Sequence, residues 1–165
     1  MKPLILFTCL VIASGSVLAD TSIILTNQQA LAALKDKNQQ SITFKTLFSK
    51  GIFSKKAFIG DNESYQGYYI NSKPASFHKF NVAAYQTIYV KQYVGCCPGN
   101  TNSLILVPTN STDLDGLESF AKSNKCELDT GGGEVLSSLP DSVALKLINK
   151  FKTKNFFTLT CEVQE

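Results

Sequence analysis

The chain has no arginine and no tryptophan, and its 165 residues include a single histidine, His78. Without arginine there is no planar guanidinium group to bind phosphate through two parallel hydrogen bonds, which argues against nucleic-acid binding. A single histidine makes a histidine-based metal centre implausible, so we expect no bound metal. We also expect no organic cofactor, because the three glycines at 131–133 lack the spacing of a dinucleotide-binding or phosphate-binding loop.

The first 19 residues have the features of a cleavable secretory signal peptide. Lys2 supplies a positive start, residues 4–12 form a short apolar run, and Ala19 is a small residue before the expected cut at Asp20. The apolar run is too short to span a bilayer. We therefore expect a single mature domain, residues 20–165, that is secreted or periplasmic; the short signal favours a bacterial source. Its formal charge, 15 lysines minus 13 acids or +2, is too small to imply a polyanionic partner.

The cysteines predict a covalent framework. Cys9 leaves with the signal peptide, so an even number remains in an oxidising compartment, and two disulfides are expected. A zinc site is disfavoured because Cys96 and Cys97 are adjacent, without the gap that lets one turn wrap a metal ion. A bridge between these two neighbours would close a strained ring. The sequence therefore predicts two long bridges, each joining Cys96 or Cys97 to Cys126 or Cys161.

Caps and hydrophobic periodicity predict three helices. The first follows a capping box formed by Thr26 and Gln29, the second opens at Thr112, and the third opens at Ser138. Alternating apolar residues predict strands over 85–94, 103–107 and 156–163, with weaker candidates at 42–44 and 65–70. The fold class expected is α+β: a single domain with an antiparallel sheet, about three helices mainly on one face, and two disulfides.

The strand over 85–94 has two distinct faces. Ile88, Val90 and Val94 share one face and are apolar enough to belong to the core. The residues of the other face are Tyr85, Tyr89, Lys91 and Tyr93. Rows of tyrosine form interface anchors and stacking platforms, so we expect this face to be partly open and to bind a protein, a glycan or an anionic surface ligand.

A basic segment over residues 37–56 carries five lysines and no acid, and Lys45, Lys50, Lys55 and Lys56 are candidate binding residues. One interpretation is a hairpin that turns at residues 49–51. The other is an interfacial helix with Phe44, Leu47 and Phe48 on one face, which would make peripheral contact with a membrane. We favour the hairpin, because Gly51 weakens a helix.

No catalytic motif is complete. Asp129 lies in a single Asp-Thr-Gly triplet, whereas aspartic proteases need two facing aspartates. Two Ser-x-x-Lys pairs, at Ser76 and Ser119, lack the further motifs that accompany this spacing in enzymes. The sequence thus predicts an exported, non-catalytic binding protein, and the alternative is a secreted hydrolase that uses His78 as its base.

Overall fold

The computed structural model describes residues 22–37, 39–60, 64–90 and 99–163, without the side chains of residues 54–60. The predicted signal peptide and Lys91, Tyr93, Cys96 and Cys97 lie outside the described residues. The helices are α1 (Asn27–Leu34), α2 (Ile42–Ser49), α3 (Leu114–Ser123), α4 (Gly133–Ser137) and α5 (Asp141–Phe151). The strands are β1 (Ile23–Ile24), β2 (Phe53–Gly60), β3 (Ser64–Asn71), β4 (Ala75–Phe77), β5 (Phe80–Val90), β6 (Thr101–Val107), β7 (Cys126–Asp129) and β8 (Phe157–Glu162).

The described strands form one sheet around the long strand β5. On one side β5 pairs with β3 and, nearer its start, with β4; on the other side the order continues through β6 and β8 to β7. Every pairing is antiparallel except that between β1 and β4, which is parallel. The predicted single α+β domain is confirmed, with a mixed sheet in place of a purely antiparallel one.

Helices cover both faces of this sheet, so the expectation of about three helices mainly on one face was wrong. One core contains α1, α2 and α3 residues such as Leu34, Phe44 and Leu117 against the sheet. A second core contains Val135 of α4 and Leu147 of α5 against the opposite face. Two of the five described helices differ from the favoured predictions. Helix α2 matches the helical interpretation of the basic segment in place of the favoured hairpin, and α4, which was not predicted, begins at the last of the three glycines.

Side-chain caps mark the starts of α1 and α3, whereas α4 and α5 begin without a side-chain cap hydrogen bond. Both hydrogen bonds of the predicted Thr26–Gln29 capping box are present at the start of α1. Asp113 accepts from the Gly116 amide at 3.1 Å and so caps α3, one residue after the predicted start. At the other end of α1, the amide of Asn102 from β6 donates to the carbonyls of Leu34 and Asp36, which ties that helix to the sheet.

The disulfide of the described residues joins Cys126 to Cys161, which corrects the predicted pairing. The two cysteines lie directly opposite each other on β7 and β8, with Cα atoms 4.3 Å apart. The sequence analysis missed β7, a strand of four residues, and therefore the register that brings these cysteines together. Because each cysteine bonds once, this bridge excludes both predicted connectivities between this pair and Cys96 or Cys97.

Candidate functional site

Tyr85 is a core residue, and the prediction that it lies on an open binding face was wrong. Its side chain is 0% exposed and its ring packs against Phe44 and Phe53 at centroid distances of 5.2 and 5.4 Å. Its hydroxyl donates to the Ala33 carbonyl at 3.1 Å. Burial raises the pKa of the Tyr85 phenol far above its ordinary value. The supposed outer face is thus the face that α1 and α2 cover.

Tyr89 lies beyond the edge of that cover. It pairs with Tyr65 of β3 across the ladder, and the two rings stack with centroids 5.3 Å apart and an interplanar angle of 26°. Both residues are half-buried and line a cavity of about 240 Å³. Tyr89 therefore remains a candidate binding residue, with Tyr65 as a neighbour that the sequence analysis did not select.

The basic segment is a helix followed by a strand. Phe44 and Leu47 of α2 are buried, whereas Lys45 on the helix and Lys50 just after it are exposed. Lys55 and Lys56 belong to β2, and their side chains are not described. Two apolar residues of α2 also face outwards, since Ile42 is 86% and Phe48 49% exposed. Among the described residues, no helix is long and apolar enough to cross a membrane.

The sheet face under α4 and α5 is only half covered. Those helices pack over an apolar half that includes Ala84, Ile105 and Phe156. Two residues further along β5 and β6, on the same face, the side chains become polar: Gln86 follows Ala84, and Ser103 precedes Ile105. This uncovered half is the floor of an open groove of about 500 Å³. We call it the sheet groove.

The floor of the sheet groove carries two separate hydrogen-bonded groups of hydroxyls and amides. The hydroxyls of Ser103 and Thr160 lie 2.8 Å apart, on the paired strands β6 and β8. The Tyr68 hydroxyl donates to Gln66 Oε1 at 2.6 Å and accepts from Gln86 Nε2 at 3.3 Å. Ser103 is 2% and Gln86 9% exposed, so the floor groups are held in place by the sheet. Such a floor offers fixed donors and acceptors to a polar ligand.

The rim of the sheet groove is acidic. The side chains of Glu127, Asp129 and Glu162 line it, with Lys125 as the cation beside them, so the balance is three carboxylates to one ammonium. One Asp129 oxygen accepts from the Gly131 amide at 2.7 Å, which fixes the carboxylate in a turn at the end of β7. The described residues contain no group of His, Cys, Asp and Glu side chains arranged to hold a metal ion.

His78 lies on the other side of the sheet and joins three elements. Its Nδ1 is 3.0 Å from Asp113 Oδ2, and its Nε2 is 3.0 Å from Asn27 Oδ1. It occupies the turn between β4 and β5 with φ of 46°, next to Lys79 with φ of 63°. This left-handed turn is unusual without glycine or asparagine. Both ring nitrogens are engaged, and no described hydroxyl is hydrogen-bonded to the imidazole, so its contacts fit a structural clamp.

The two Ser-x-x-Lys pairs are not assembled for catalysis either. Ser76 lies in β4 and Lys79 in the following turn, so they do not share a helical face. Ser119 and Lys122 share α3, and both are exposed.

The sheet groove was missed because its residues are dispersed along the sequence. A signal was present in β8, where Thr158 and Thr160 alternate with apolar residues, and at the start of β6, where Thr101, Asn102 and Ser103 form a short polar run. The pairing of β6 with β8, which turns these separate polar positions into one surface, is a property of the fold. No family model, curated protein or solved structure matches the chain.

Proposed function

We propose that the mature chain is an exported, non-catalytic binding protein that holds a small polar ligand in the sheet groove. The observation that carries the proposal is the uncovered half of the sheet, where hydroxyl and amide groups from four strands converge beside an apolar, helix-covered half. Side chains on paired strands are positioned more rigidly than side chains on loops, which suits specific recognition. The predicted secretory signal and the Cys126–Cys161 bridge support an exported role.

The chemistry of the groove favours a ligand that carries several hydroxyls and at least one amine. Serine, threonine and glutamine can each donate and accept, as a polyhydroxylated ligand requires. The carboxylates of Glu127, Asp129 and Glu162 accept hydrogen bonds and attract positive charge. An amino sugar or a short oligomer of one combines both properties, and we propose this class as the ligand.

A hydrolase based on His78 has less support. A base that activates a nucleophile needs a free ring nitrogen facing a hydroxyl or thiol. In this protein the Nε2 of His78 is within hydrogen-bond distance of Asn27, and its Nδ1 is within hydrogen-bond distance of Asp113. The binding proposal accounts for the groove without requiring any rearrangement.

The test compares two matched ligands by isothermal titration calorimetry, a glucosamine tetramer and its fully N-acetylated counterpart. We expect the amine form to bind more tightly, because N-acetylation removes the charge that faces the acidic rim. Glu127→Gln should weaken binding of the amine form by about tenfold, the effect of one charge-assisted hydrogen bond. Thr160→Val should weaken both forms, since it removes a hydroxyl from the floor.

The control for Glu127→Gln is Glu118→Gln, which makes the same change at an exposed position on α3. It should leave both affinities unchanged. Failure of both tetramers to bind, or equal loss in the two glutamine variants, would reject the amino-sugar ligand and the groove as its site.

A further inference from the structure

A second cavity opens on the opposite face of the sheet, where the row of tyrosines passes beyond the helices. Tyr69 and Tyr85 form one cross-strand pair, which α2 covers. Tyr65 and Tyr89 form a second tyrosine pair on the same strands, beyond Gly67 and Thr87. The second pair lines a cavity of about 240 Å³, together with Lys37 and Gln39 from the chain between α1 and α2. We call it the tyrosine cavity.

Gln39 is an incompletely satisfied residue at this cavity. Its backbone has a φ of 57°, in the left-handed region that a glutamine rarely adopts. Its Oε1 accepts a hydrogen bond from the Tyr69 hydroxyl at 2.5 Å. Its Nε2 is buried and has no hydrogen-bond partner among the described residues. A buried donor of this kind is costly unless a ligand or a water molecule supplies an acceptor.

The orientation of the Gln39 side-chain amide determines whether its unpaired group is a hydrogen-bond donor or an acceptor. A separation of 2.5 Å suits an O–H···O hydrogen bond and is too short for a usual N–H···O one. The oxygen of Gln39 therefore faces Tyr69, and the unpaired group is the N–H donor. The missing partner is consequently a hydrogen-bond acceptor.

The residues that line the tyrosine cavity indicate which class of hydrogen-bond acceptor would bind there. Lys37 supplies a cation at the cavity, and none of the cavity's described lining residues is acidic. The stacked rings of Tyr65 and Tyr89 offer an aromatic wall. We propose that the tyrosine cavity binds a small aromatic carboxylate, whose acid group meets Lys37 and whose ring packs on the tyrosine pair. A small movement of the Gln39 side chain would open its buried Nε2 to the cavity and let it donate to the same acid group. This site is independent of the sheet groove, because it lies on the other face of the sheet and favours the opposite ligand charge.

The test is a titration of the isotope-labelled mature protein with benzoate, followed by NMR. Benzoate should shift the side-chain amide signal of Gln39 together with the backbone signals of Tyr65 and Tyr89. Benzyl alcohol, which keeps the ring but lacks the carboxylate, should bind at least tenfold more weakly, since it loses a charge-assisted hydrogen bond.

Two lysine variants distinguish a contact with the benzoate carboxylate from a general effect of losing one positive charge. Lys37→Gln should weaken benzoate binding by roughly threefold, as expected for an exposed ion pair. Lys146→Gln removes the same charge from an exposed position on α5 and should leave the affinity unchanged. Gln39→Leu should abolish binding, and the amide signal of the unaltered protein keeps the test decisive if this variant does not fold.

The proposal fails if benzoate leaves the Gln39 amide signal unmoved at millimolar concentration, which would indicate a cavity that holds water only. It also fails if benzoate and benzyl alcohol bind equally well, or if Lys37→Gln and Lys146→Gln have equal effects.

Discussion

At the scale of single residues, side chains with the same sequence signal have opposite roles. Tyr85 and Tyr89 lie four residues apart on one face of β5, yet α2 packs over Tyr85 and does not extend over Tyr89. Alternation along a strand assigns residues to a face, but it does not reveal which face or which part of it is covered. That information comes from helices distant in the sequence.

We expect Tyr85→Phe to lower the free energy of unfolding by about 1 kcal/mol, because it removes the hydrogen bond to the Ala33 carbonyl and keeps the ring. Tyr89→Phe, the matched control at the half-buried site, should change it by less than about 0.5 kcal/mol. Chemical denaturation of the two variants measures both values. Equal effects would contradict the assignment of Tyr85 to the core.

The His78–Asp113 contact predicts a dependence of stability on pH. The hydrogen bond from His78, followed by that from the Gly116 amide, holds the pKa of the Asp113 carboxyl below its ordinary value of 3.8. A group with a lowered folded pKa stabilises the protein above its unfolded pKa and loses that contribution as pH falls through the folded value. Wild type should therefore exceed Asp113→Asn in stability at pH 5, and the gap should close below pH 3.8. Urea unfolding across this range measures it, and a constant gap would refute the mechanism.

At the scale of helices and strands, patterns within a few neighbouring residues predicted the structure correctly. Features that depend on contacts between distant segments could not be predicted from the sequence. The Thr26–Gln29 capping box lies within four residues and correctly predicted the start of α1. The segment of α2 carries a turn-like sequence at residues 49–51, but packing of Phe44 and Leu47 into the core stabilises eight residues of helix before it. Strand β7 is too short to show a period, and its pairing with β8 defines it.

The Cys126–Cys161 bridge should stabilise the attachment of β7 to the sheet. It closes a separation of 35 residues, so replacing both cysteines with alanine should lower the free energy of unfolding by about 2–5 kcal/mol. Denaturation of the double variant measures the loss. Peptide mapping without reductant gives the independent check: a peptide that links Cys126 to Cys96 or Cys97 would contradict the observed pairing.

At the scale of the whole molecule, the sheet is the middle layer between two sets of helices. The two cores share the sheet but contain different residues, with α1, α2 and α3 on one face and α4 and α5 on the other. An α+β domain could be predicted from the sequence, since strands and capped helices were each recognisable. The sequence did not predict that α4 and α5 cover only half of the other sheet face and leave the sheet groove open. That arrangement depends on how α5 packs across β5 and β6.

If the second core is essential, a cavity made in it should be costly. Leu147→Ala, at a position that is 0% exposed, should lower the free energy of unfolding by about 2–5 kcal/mol. Leu145→Ala on the same helix is the control, because Leu145 is 59% exposed and should contribute less than about 0.5 kcal/mol. Denaturation of the pair measures the difference, and similar small effects would show that α5 is peripheral.

The central claim is that the uncovered polar half of the sheet is a ligand site, and mapping the bound amino sugar by NMR tests it most directly. Titration of the labelled mature protein with the glucosamine tetramer should shift the side-chain amide signals of Gln66 and Gln86 and the backbone signals of Ser103 and Thr160. These four residues lie on four different strands, so a joint response identifies the groove floor. No shift in this set, or shifts confined to the opposite face around Tyr89, would contradict the account.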